Sequence, residues 1–207
     1  MIRPAWLDLL DGCYVNASVR DQGSYSRGQL YWAPMYYLTE RMKYLRPTGC
    51  DPYHKRPPEF QIQTAEREQI LGRGDKEESI FHHLPLLYPQ FDVKLASDEV
   101  YVVQVAKKRL VILMSSPSTP WRVSSGRTRE NCCLVAPVYS FNEGHSGQWR
   151  CAVGNFQFEE LFYVPKSTTH TIADGYVRFD RVQTVPRAWL GRARVALHPD
   201  LLKWVDD

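Results

Sequence analysis

Val100-Tyr101-Val102-Val103-Gln104-Val105, then Lys107-Lys108-Arg109, then Leu110-Val111-Ile112-Leu113-Met114 is the stretch on which the fold class turns. The two apolar runs are shorter than a globular helix and rich in β-branched residues, and a cationic break separates them. That combination reads as two strands. Working outward, Ser115 to Arg129 is a Ser/Pro/Arg loop, and Cys132 to Tyr139 is a further apolar strand interrupted by Pro137. Phe156 to Val164 alternates into another strand. Val177-Arg178-Phe179-Asp180 alternates apolar and charged, as a half-buried strand does. Pro199-Asp200-Leu201-Leu202-Lys203-Trp204-Val205 closes the chain as a short helix with Pro199 near its first position. Many short strands with one terminal helix predict a mainly β fold, a small closed or half-closed barrel that hides its sheet edges.

Upstream, residues 1–91 read as an N-terminal extension of uncertain fold, and residues 92–207 as the barrel domain. Gly28 to Leu38 looks like a strand with Pro34 as a bulge or edge marker. Residues 46–58, with Pro47, Gly49, Pro52, Pro57 and Pro58, read as loop. Glu59-Phe60-Gln61-Ile62-Gln63 alternates as a short strand, and Thr64 to Leu71 reads as a helix capped by Thr64. Pro85 and Pro89 bracket an irregular stretch. Gly28-Gln29-Leu30-Tyr31-Trp32 faintly echoes Asp98-Glu99-Val100-Tyr101-Val102, too briefly to establish a duplication.

The chain of 207 residues carries a net charge of only +3. Residues 92–207 hold 15 Lys/Arg against 12 Asp/Glu, whereas residues 1–91 are neutral, so the surplus is C-terminal. Clustering matters more than this total for a nucleic-acid partner. One cluster, Arg122, Arg127 and Arg129 beside Trp121, suits RNA backbone contact with base stacking, or equally a solvated loop. The five cysteines include no CxxC pair, which points to free thiols in a reducing compartment. No signal-peptide pattern opens the chain and no run approaches the length of a membrane span, so a cytoplasmic location is expected.

Four ordered segments resemble the MazF/PemK family of toxin endoribonucleases: Asp98 to Val103, Lys108 to Ser115, Leu134 to Ser140, and Gly175-Tyr176-Val177-Arg178-Phe179-Asp180-Arg181-Val182-Gln183-Thr184-Val185-Pro186-Arg187. The resemblance implies an SH3-like barrel with a C-terminal helix over residues 92–207, paired as a homodimer. It further implies cleavage of single-stranded RNA through the neighbouring 2′-hydroxyl, without metal or other cofactor, and neutralisation by a cognate antitoxin protein. Such chemistry needs a base for the hydroxyl and positive charge at the phosphate. By resemblance Asp180 would be the base, Arg178 the acid or phosphate clamp, and Arg109 a scissile-phosphate contact. Tyr139, with Ser140 next to it, would stand at the position where the family usually has threonine. Leu110 replaces the family's proline.

The residues also carry their own reading. Arg178 and Asp180, two apart on a strand, project from one face, which an exposed ion pair would do equally. His145 and His170 lie in loops bordering this region, and imidazole is a side chain suited to acid or base work near neutral pH. His82-His83 lacks a partner at metal-ligand spacing. No Walker loop, nucleophile elbow or HExxH occurs. The alternative to a nuclease is a non-catalytic RNA- or protein-binding module on the same barrel. A third reading makes residues 1–91 a regulatory or interaction region.

Overall fold

The computed structural model describes residues 12–16, 25–37, 41–49, 51, 53, 55–71, 79–80, 85–115, 131–191 and 195–205. The strands in chain order are β1 (Tyr14–Asn16), β2 (Gln29–Tyr36), β3 (Lys43–Gly49), β4 (Glu59–Thr64), β5 (Leu86–Tyr88), β6 (Val93–Leu95), β7 (Tyr101–Val103), β8 (Ala106–Leu113), β9 (Cys132–Ser140), β10 (Leu161–Val164), β11 (Gly175–Arg178), β12 (Gln183–Pro186) and β13 (Val195–Leu197). The helices are α1 (Arg67–Leu71), α2 (Gly147–Gly154) and α3 (Pro199–Trp204). The protein is therefore mainly β, as expected, and its sheets are antiparallel. No helix among the described residues is long and apolar enough to cross a membrane.

The chain divides into two compact units: residues 1–35 with 107–207, and residues 36–106. This differs from the expected cut at residue 91. The first unit is built on one sheet in the order β1-β13-β2-β8-β9-β11-β10, with β12 also paired to β9. Its pairing does not close on itself among the described residues. Strand β9 holds it together. One edge of β9 pairs with β8 through Val135–Pro137, while the other pairs with β12 at Cys132–Val135 and with β11 at Val138–Ser140. Pro137 falls in the interval between β12 and β11, where that edge has no ladder bond to lose.

Both faces of this sheet are buried. Ile112, Ala136, Val138, Val177 and Leu30 pack with Leu201 of α3 on one side. Val111, Leu113, Val135, Tyr31 and Ala33 pack on the other. This explains why the central strands read as continuous apolar runs rather than alternating ones. Helix α2, capped by Ser146 Oγ accepting from the Trp149 N–H at 3.1 Å, covers a third cluster of Val153, Leu161, Tyr163 and Tyr176.

The second unit carries a three-stranded sheet, β4-β3-β7, and the hairpin β5-β6. Here several expectations are corrected. Residues 43–49 form a strand despite Pro47, because the register shifts between Pro47 and Gly49 and the bulge absorbs the missing donor. Thr64 ends β4 rather than capping a helix, and α1 begins at Arg67. The stretch after Pro85 is a hairpin, its strands joined by a 3-10 turn at Pro89–Phe91. Tyr101–Val103 pairs with β3, outside the sheet that holds the other three quoted segments. Its echo in Gly28 to Trp32 instead supplies β2, the neighbour of β8 in the main sheet.

Candidate functional site

Register brings the site together from four adjacent strands, β8, β9, β11 and β10. Tyr176 of β11 stands opposite Tyr139 of β9 and also opposite Tyr163 of β10. Direct cross-strand partners share a face, so three tyrosines form a row across the sheet. Tyr139 and Tyr176 stack with centroids 5.7 Å apart. The pairing of Val111 with Pro137 sets Arg109, two residues back on β8, level with Tyr139, and its guanidinium lies 4.2 Å over the Tyr139 ring. Arg178, two residues on from Tyr176, brings a second guanidinium to 5.9 Å from the same ring. Tyr139 is thus the aromatic floor between two cations, each held partly by the ring's negative face.

Asp180 completes the group from a different element than expected. Strand β11 stops at Arg178, and Phe179–Arg181 is a 3-10 turn. At the turn Phe179, partly buried, packs against the core and its N–H donates to the Glu160 carbonyl at 2.9 Å. Arg178 and Asp180 still meet: Arg178 Nε donates to Oδ1 at 2.9 Å, and Nη2 to Oδ2. Arg181 Nε stands 3.5 Å from Oδ2. The hydrogen bonds from Arg178 hold the Asp180 carboxyl below the ordinary range, and Asp180 raises the Arg178 guanidinium in turn. Both side chains are about a third exposed, at 32% and 35%, so the pair is reachable by solvent and its strength is screened. Burial pushes the Tyr176 hydroxyl pKa up, against the lowering influence of Arg178 and Arg109.

On the side of Tyr176 away from Tyr139 lies an aromatic cluster. His145 stacks on Trp149 at 4.7 Å and meets Phe141 and Tyr176 edge-on at 5.9 and 5.8 Å. Its Nδ1 accepts the Asn142 N–H at 3.0 Å, which leaves any ring proton of the neutral form on Nε2. His145 therefore borders the cation group through Tyr176.

Of the residues expected in the site, Arg109, Tyr139, Arg178 and Asp180 converge. Ser140 does not join them: it is exposed, next to Tyr139 on a strand, and registers with Gly175. His170 lines a separate cavity. Trp121, Arg122, Arg127, Arg129, His82 and His83 lie outside the described residues. Tyr176, Arg181 and the Phe141–Trp149 cluster were not singled out from sequence. The signal for Tyr176 was available in the alternation that placed Arg178. Among the described residues no group of three His, Cys, Asp or Glu side chains is arranged to hold a metal. The chain matches no family model, no curated protein and no solved structure.

Proposed function

We propose that this protein is a MazF/PemK-like endoribonuclease on an SH3-like barrel, cutting single-stranded RNA through the 2′-hydroxyl. The carrying observation is that Arg109 and Arg178 meet over the Tyr139 ring, while Arg178, together with Arg181, also engages the Asp180 carboxylate. Guanidiniums are suited to a phosphodiester, because their paired N–H groups match its oxygens. A phosphate entering between Arg109 and Arg178 competes with Asp180 for Arg178. Once that clamp loosens, the carboxylate regains basicity and takes the 2′-hydroxyl proton, the 2′-oxygen bonds to phosphorus, and the bond from phosphorus to the 5′-oxygen breaks, the 5′-oxygen taking its proton from solvent water. Arg178 and Arg109 stabilise the charge that develops on the phosphorus oxygens. An arginine is too weak an acid to be the proton donor for the leaving oxygen. The wider reading includes a homodimer, a cytoplasmic setting and an antitoxin that occupies this face.

The test is incubation of a long mixed-sequence RNA with purified protein in chelator, beside Asp180→Ala and Arg178→Ala. Cuts by the wild type that vanish in both variants support the reading; full cleavage by Asp180→Ala removes Asp180 from the role. One observation favours a second reading, a binding module without catalysis: Asp180 is engaged by Arg178 at both oxygens, as a structural pair would be. Retention of RNA by a folded wild type that never cuts it would establish that alternative.

A further inference from the structure

A cavity of about 850 Å³ lies in the first unit, away from the tyrosine row. Its floor is the core residues Leu30, Ile172 and Val195, and its rim carries Trp32, Trp189, Lys108 and His170. Three features set it apart. Trp32 and Trp189 are 49% and 46% exposed, unusual for two indoles on one rim. Lys108 Nζ lies 5.8 Å over the Trp32 ring, and none of the described lining residues is acidic. Thr171, also lining the cavity, holds φ at +57°, a region that a β-branched residue rarely adopts. It sits in a tight turn closed by the reciprocal Ser167–Ile172 backbone hydrogen bonds at 2.9 Å. Strain of this kind persists where the surroundings fix a loop for use. The rim is also braced, since the Gly191 N–H donates to the Trp32 carbonyl at 2.9 Å and ties β2 to the segment that presents Trp189.

We propose that this cavity binds an unstacked nucleobase of single-stranded RNA, with Trp32 and Trp189 as stacking surfaces and Lys108 on an adjoining phosphate. The inference rests on the single-stranded RNA reading above and adds a second contact to it. Exposed aromatic planes beside a cation, with no carboxylate to repel phosphate, are the sequence-tolerant elements of single-strand binding. The volume falls in the range that encloses a ligand of nucleotide size. Lys108 and Arg109 are consecutive on β8 and leave it on opposite faces. The cavity and the proposed cleavage site thus lie on opposite faces of β8.

The experiment measures affinity of the full chain for a short, fluorescein-labelled 2′-O-methyl oligonucleotide of mixed sequence, which lacks the attacking hydroxyl. Trp189→Ala and Lys108→Ala are each expected to weaken binding about tenfold. Lys203→Ala, which removes an equal charge at an exposed place on α3, should bind as the wild type does. Lys108→Ala should also flatten the salt dependence by about one counterion, and Trp189→Ala should not. Trp189→Phe, which keeps an aromatic plane, should recover most of the affinity and so separates stacking from misfolding. Wild-type affinity in Trp189→Ala and Lys108→Ala overturns the inference, even if Asp180-dependent cleavage is found. Binding that depends on the cavity, in a protein that cuts no RNA, keeps the inference and removes the nuclease reading. A wild type that binds no oligonucleotide overturns the inference, as does selective capture of an acidic aromatic peptide at this cavity in place of RNA.

Discussion

Asp180 faces two demands that pull against each other. A general base must want a proton, yet the hydrogen bonds from Arg178 stabilise its ionised form and lower its pKa. A carboxylate whose folded-state pKa is depressed contributes stability above its unfolded pKa and loses it as pH falls through the folded value. The pair therefore adds stability at neutral pH that disappears in acid. At this exposure it amounts to no more than about 0.5 kcal/mol. Catalysis should report the same linkage more sharply. In the wild type the acid limb of kcat/KM for RNA cleavage, which reports the free enzyme, lies below the ordinary carboxylate range. In Arg178→Lys, which loses the paired donors but keeps a charge, that limb is expected to move to higher pH with a lower plateau. An unmoved limb would show that Asp180 is not the titrating base. Thr171 allows a second single-residue test. Glycine adopts positive φ without steric cost, so Thr171→Gly should raise stability in urea by about 1 kcal/mol while loosening the cavity rim. Lower stability would mean that the Thr171 side chain contributes more than its backbone costs.

At the scale of elements, the cleavage site depends on how closely β11 approaches β9. A Cβ added at Gly175 would lie 2.2 Å from the Tyr139 carbonyl oxygen and 3.1 Å from Ser140 Cα. Both obstacles are backbone, so the strands must separate, and Tyr176 and Arg178 leave with β11. Gly175→Ala is expected to cost about 3 kcal/mol in urea unfolding and to reduce RNA cleavage beyond what the fraction folded explains. A stable variant with full activity would show that the row of tyrosines tolerates a shifted register. The same elements show what sequence could and could not disclose. Strands β8 and β9 were legible because both their faces are buried, which leaves an unbroken apolar run. Arg109 and Tyr139 were each named by resemblance, but their meeting was not, and register supplies its physical reason. The turn at Asp180 was not legible, because Val177 to Asp180 alternates as a strand would, whereas Phe179, partly buried, packs against the core from a 3-10 turn. Strand β3 was hidden by Pro47, since a bulge admits proline only when a partner strand is there to be offset. The cavity rim was hidden for another reason: Trp32, Lys108 and Trp189 come from separate strands and turns, and only the sheet order gathers them.

For the whole molecule, the order of strands changes which truncation is informative. Strands β1 and β2 come from the first 36 residues but belong to the main sheet, where β2 lies between β13 and β8. Removing residues 1–91 would therefore take away a central strand, leaving the facing edges of β13 and β8 without partners in an otherwise buried sheet. That deletion is expected to unfold the protein and says nothing about regulation. The second unit, by contrast, is one continuous stretch of chain, residues 36–106. Gly28 N–H donates to the Leu113 carbonyl at 2.8 Å at one end of the β2–β8 pair, and Tyr37 N–H donates to the Val105 carbonyl at 2.9 Å at the other. The intervening chain can thus be replaced by a two-residue Asn-Gly turn, which suits an antiparallel pair. Excision of residues 38–104 in this way is expected to leave a cooperative urea transition with a smaller m-value, in proportion to the surface no longer exposed on unfolding. Its RNA cleavage then decides the role of the excised unit. A rate above that of the full chain identifies residues 38–104 as a restraint on activity; an equal rate assigns them to another task. An excised protein that fails to fold, beside a 1–91 deletion that folds, would reverse the assignment of β2 to the main sheet.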